Sequence, residues 1–144
     1  MADYIYERAV KYGPAALAAM DLRAILVMSN STADTETEAE FVDDFTTLDE
    51  YDGSAYARVA LAAETSELDL TNNRVEFKFD PIVFATLGVG TRQAIGIIII
   101  KFVTDDTDSE PIFHLDEGGF PFDGNGENFT YTRHAEGVAQ WANA

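Results

Sequence analysis

Arg92 to Val103 reads RQAIGIIIIKFV, and the fold of the chain turns on this stretch. Ile97, Ile98, Ile99 and Ile100 fill two successive pairs of positions. Side chains alternate between the faces of a strand, so the run is apolar on both. β-Branched residues lose less freedom in a strand than in a helix. Gly88, Gly90 and Thr91 precede the run and TDDTDSEP follows it. A short apolar run between such flanks predicts a central strand rather than a buried helix. A central strand needs strands on both sides and cover above and below.

Asp21 to Ser29 is the natural partner. Leu22, Ala24, Leu26 and Met28 share one face, and Ile25 and Val27 the other. Both faces are again apolar, which predicts a second interior strand. Arg74 to Asp80 alternates instead, with Val75, Phe77 and Phe79 on one side and Glu76 and Lys78 on the other. That is the pattern of a strand with one buried and one wet face. Further strands are expected over Tyr56–Ala62, Pro111–Asp116 and Phe129–Arg133, with Ile82–Leu87 a short strand or turn. Glu64–Asn73 reads as a turn region, Asn72 and Asn73 being suited to positive φ.

Asp3 to Met20 reads as helical, from Ile5, Ala9, Tyr12 and Ala16 at helical spacing. Gly13-Pro14 breaks it in two, with Pro14 opening a second short turn. Such a segment either packs one face on the sheet or serves as an arm that docks on a neighbouring subunit. Asn30 to Gly53 is a long acidic excursion without a basic residue, pinned by Phe41, Val42, Phe45 and Leu48. Thr104–Glu110 is an acidic turn, Glu117–Asn128 a Gly-rich loop, and Val138 and Trp141 close one end of the core. The fold class is therefore mainly β: an antiparallel β-sandwich or jelly-roll-like domain with an N-terminal helix. Residues 1–144 form a single domain, with 1–20 a helical arm and 21–144 the sandwich.

The chain has 144 residues, 47% apolar, enough to build a substantial core. There is no cysteine, so disulfides and thiolate metal sites are excluded. The net charge of -17, from 26 acidic and 9 basic residues, repels nucleic acid and anionic membrane surfaces. The longest apolar run, about nine residues, is short of the roughly 20 that span a bilayer. MADYIYERAVKYG lacks a signal-peptide core, which predicts a soluble product made in the cytoplasm.

Few residues suggest chemistry. The two histidines, His114 and His134, fall on expected strands, and no nucleophile-elbow glycine pattern exists. Asp116 and Glu117 end a strand and are the best placed acids for glycoside hydrolysis. Asp123, Asn125 and Glu127 begin like a calcium loop, but Asn128 and His134 stand where its glycine and bidentate acid belong. A turn is the reading for DGNGE. No enzyme, cofactor or metal site is expected. Asn30 and Asn128 fit the glycosylation pattern, which has no meaning without secretion.

The order of features carries a family resemblance. MDLRAILVMSNST leads into an acidic stretch ending EFVDDFTTLDEYDGSAYARVAL. RVEFKFDPIVFATLGVGTRQAIGIIIIKF, SEPIFHLDEGGFPFDGNGENFTYT and GVAQW follow. From about Asp21 to Trp141 this resembles a family of small virion structural proteins of tailed bacteriophages. Ala55, between Gly53-Ser54 and Tyr56, departs from the family's Gly-Tyr step. The resemblance implies a capsid decoration or cement protein on the capsid surface of the virion, made in the host bacterial cytoplasm. Its partner would be the major capsid protein, and it would form a homo-oligomer, taken as a trimer. The expected contacts with shell and sibling copies are Tyr4, Tyr6 and Tyr12 in the arm and Phe120 and Phe122 in the Gly-rich loop. The competing readings are a head-tail connector or tail structural protein, a carbohydrate-binding β-sandwich module, and an enzyme working through Asp116.

Overall fold

The computed structural model describes residues 3–135 and 137–142. The described residues form ten strands: β1 (Tyr4–Ile5), β2 (Leu22–Met28), β3 (Val59–Ala60), β4 (Thr65–Asp69), β5 (Arg74–Lys78), β6 (Ile82–Leu87), β7 (Ala94–Lys101), β8 (Glu110–Leu115), β9 (Glu127–Tyr131) and β10 (Ala139–Ala142). They build a five-stranded sheet ordered β1-β8-β7-β2-β3, a three-stranded sheet β10-β5-β4 and a two-stranded sheet β6-β9. Every pairing is antiparallel. The mainly β, antiparallel fold class stands.

The isoleucine run is β7, and it is the middle strand of the largest sheet. Ile98 pairs with Ile25 of β2 on one side and with His114 of β8 on the other. Ile97 to Ile100 are fully buried, as are Ala24 to Val27. The reason is double cover. On one face, Tyr4 and Tyr6 both donate hydroxyl hydrogen bonds to the Ala33 carbonyl, tying the acidic excursion over the sheet. The Tyr6 ring also lies 5.6 Å from that of Phe45. On the other, Phe113 stacks on Phe77 of β5 at 6.0 Å, joining the five- and three-stranded sheets. The excursion is pinned as the sequence suggests: Val42 and Phe45 are buried around a single 3-10 turn, Val42–Asp44.

The N-terminal helix is corrected. Residues 3–20 contain β1, a 3-10 turn over Glu7–Lys11 and a one-turn helix, α1 (Pro14–Ala18). Tyr4 and Ile5 pair with His114 and Phe113, which diverts the backbone from helical bonding. The remaining pieces are too short to sustain a helix without tertiary support. Pro14 opens α1 as expected. The segment is an edge of the domain's own sheet rather than a free arm, with Tyr6, Ala9 and Leu17 in the core.

Other elements shift. The expected Tyr56–Ala62 strand contracts to β3, and the Glu64–Asn73 turn region contains β4, hairpinned to β5 through Asn73 at φ 51°. An edge strand such as β4 buries neither face, so it lacks alternation to read. Phe129–Arg133 becomes β9, and β10 follows it to pair with β5. His134 lies outside the strands. Glu76, expected on a wet face, is 4% exposed and clasped by Arg74 at 2.8 Å and Lys78 at 2.9 Å. Those two cations hold its carboxyl below the usual range, Lys78 contributing most.

Candidate functional site

Pairing β1 with β8 sets residues more than a hundred positions apart against each other. The Asp3 carboxylate accepts from the backbone N–H of Asp116 at 2.7 Å and of Glu117 at 3.0 Å. Tyr4 stacks flat on the His114 ring, with centroids 5.1 Å apart. His114 Nδ1 stands 3.9 Å from Asp116 Oδ2. His114 is fully buried, and among the described residues neither of its ring nitrogens nor Asp116 Oδ1 has a hydrogen-bond partner. Gly96 leaves the room: a Cβ there would lie 3.1 Å from His114 Cε1.

The electrostatics follow from burial. Desolvation lowers the His114 pKa against the opposing fields of Asp34 and Asp3, and it raises that of Asp116, which those carboxylates push further up. A histidine kept neutral in the fold takes up its proton more readily when unfolded. His114 therefore costs stability as pH falls below its unfolded value of about 6.5. Asp116 acts in the opposite sense: it binds its proton more tightly when folded, so its contribution is present at low pH and lost as pH rises through its raised pKa. His114→Leu should remove the first effect alone. Urea unfolding should show the variant gaining stability relative to the parent between about pH 6.5 and 5, with little change above about pH 7.5. Parallel curves for the two proteins would show that His114 binds its proton equally well folded and unfolded, against the burial described.

The expected contact residues differ in burial and partners. Tyr6 is wholly buried and is corrected to a core residue. Tyr4 is half-buried on His114, and burial pushes its phenol up to about 12. The Tyr12 hydroxyl donates to Glu110 at 2.6 Å, with the Lys11 and Lys101 ammonium groups 5.0 and 5.3 Å from its ring. Phe120 and Phe122 belong to a separate aromatic group with Phe129. Phe122 stacks on Phe129 at 3.9 Å, and Phe120 lies 5.4 Å from it. Both keep partial exposure. Phe120, Pro121, Ile95 and Asp116 line a shallow cavity of about 290 Å³.

In the DGNGE loop, Asn125 Oδ1 accepts from Glu127 N at 3.0 Å and Asp123 from Gln93 at 3.3 Å. This is turn chemistry. Among the described residues no group of three or more histidine and acidic side chains is placed to hold a metal ion.

One property of the whole surface was not visible in the sequence. The basic side chains are engaged within the chain. Arg8 pairs with Glu40, Lys11 and Lys101 with Glu110, and Arg23 with Asp21. Arg58 binds both Glu50 and Asp106, joining the excursion to the acidic turn. Arg74 and Lys78 clasp Glu76, Arg92 pairs with Asp49, and Arg133 caps the carbonyls of Phe79 and His134. With all nine lysines and arginines committed, the surface is left with an excess of carboxylates.

No protein-family model, curated protein or solved structure matches this chain.

Proposed function

We propose that this chain is a phage virion structural protein, a capsid-decorating cement protein that binds the major capsid protein shell. The observation that carries the reading is the internal commitment of every basic side chain on a chain of net charge -17. Such a surface attracts a basic partner and repels nucleic acid. The likeness of the order of sequence features to tailed-phage structural proteins supports a capsid protein as that partner.

The mechanism is non-covalent. A protein that binds only the assembled shell lowers the free energy of that state by mass action. Copies joined as a homotrimer add avidity without new contacts. Partly exposed Tyr4, Tyr12, Phe120 and Phe122 remain the anchors proposed for shell and sibling contacts. The protein is made in the host cytoplasm and resides on the capsid surface.

Copy number tests the placement. Quantitative mass spectrometry of the purified virion should find on the order of hundreds of copies, following shell symmetry. About six or twelve copies would move the protein to a connector or tail ring instead. The partly exposed Phe122, beside Asp123, Asn125 and Glu127 in a cleft of about 260 Å³, favours one further reading, a carbohydrate-binding module. A glycan array read with the parent and with Phe122→Ala decides it: saccharide binding that the variant loses supports the module.

A further inference from the structure

The three-stranded sheet ends in an open edge. β4 lies outside β5 in the order β10-β5-β4, and Thr65 to Leu68 are exposed. Its outer backbone groups form a row of donors and acceptors, a template on which another strand can pair. Next to this edge is an uncovered apolar row. Leu68 pairs with Val75, which pairs in turn with Trp141, so the three share one face of the sheet. Leu68 is 66% exposed and Leu70 is 75% exposed. Together with Asn73 and Arg74 these four residues line a depression of about 150 Å³.

We infer that β4 is a docking edge, which takes up an extended basic segment of a partner protein as a fourth strand. Main-chain pairing would supply register, and the depression would take one apolar side chain. Charge selects the occupant. Glu67 and Asp69 share one face of the edge strand and, on a chain of net charge -17, call for lysine or arginine at alternating positions of the incoming strand. A second copy of this chain is a poor fit. Two β4 edges joined about a two-fold axis at the middle of the strand place Glu67 against Glu67, and like charges directly opposite are destabilising. No basic side chain is left over to compensate, Lys78 being held by Glu67 and Glu76, and Arg74 by Asp69 and Glu76. The partner need not be a shell protein, so the pairing is measured without virions.

The test uses the full chain and three synthetic peptides of about ten residues, long enough to cover the edge. One alternates lysine with valine, one alternates glutamate with valine, and one repeats the first with alternate backbone nitrogens methylated. Amide chemical shifts and hydrogen exchange are followed up to millimolar peptide. The lysine peptide should shift the amides of residues 65–70 and the Trp141 indole, and slow exchange along β4. Its binding should weaken about tenfold or more in the doubly substituted Leu68→Ser, Leu70→Ser protein and as salt is raised. Both leucines are exposed, so that variant should keep the parent melting curve. The other two peptides should leave β4 unchanged. Shifts spread over the acidic loops without protection of β4, equal binding of the methylated peptide, or no response at β4 would each overturn the inference. Concentration-dependent protection of β4 without peptide would replace the basic partner with a second copy.

Discussion

Ile98→Asp should abolish the folded domain. Ile98 is 0% exposed at the centre of the five-stranded sheet, between Ile25 and His114. No lysine or arginine stands beside it in either cross-strand pair. A carboxylate there must stay ionised without a partner or take a proton, and either course costs several kcal/mol. A domain of this size has only about 5–15 kcal/mol of stability, and the lost isoleucine packing adds to the cost. Circular dichroism should show no cooperative thermal transition, whereas Ile98→Val should melt as the parent does after a loss of about 1 kcal/mol. If Ile98→Asp keeps the parent melting curve, β7 is an exposed strand and the architecture is wrong.

Gly124→Ala should be the most damaging of the small loop substitutions. Three loops meet around Tyr51. The Tyr51 hydroxyl donates to the Gly88 carbonyl at 2.6 Å and accepts from Gly124 N–H at 3.2 Å. A Cβ on Gly124 would collide with the Gly88 carbonyl and the Tyr51 hydroxyl. Gly88 cannot retreat, since its own N–H is bonded to the Ser54 carbonyl at 2.9 Å. Forcing such a junction apart costs about 2–3 kcal/mol, read as a fall in Tm on the order of 10 °C. Gly13→Ala is the control. A Cβ there meets nothing within 4 Å, and the change at this helix N-cap should stay below about 1 kcal/mol. Equal melting temperatures for the two variants would mean that the three loops are not locked together.

The central sheet was readable because burial on both faces leaves a continuous apolar run, and both β7 and β2 are covered on both sides. Elements at the rim were not. β4 is exposed on both faces, so its composition of Thr, Ser, Glu and Asp looks like a turn. The N-terminal segment has alanine and aromatic residues at helical spacing, yet its first residues gain more by pairing with β8. Alternation at Glu76 located the face but could not reveal what lies over it.

The candidate sites were less legible for a different reason. Asp3, His114 and Asp116 meet only because β1 closes on β8, and no local pattern encodes that contact. The commitment of every cation is likewise a property of the folded surface; Arg58, beside Glu50, reaches Asp106 across 48 positions of sequence. Leu68 and Leu70 were visible signals. Two leucines spaced by one residue within a polar stretch are an exposed apolar pair if that stretch is an edge strand.

Co-sedimentation with capsids tests the function most directly. Purified protein would be added to shells assembled without it and, separately, to unassembled major capsid protein from the same virus. Saturable binding to the shells, weakened by salt and much tighter than to free subunits, is the expected result. No binding to shells, or equal binding to free subunits, would contradict a cement protein.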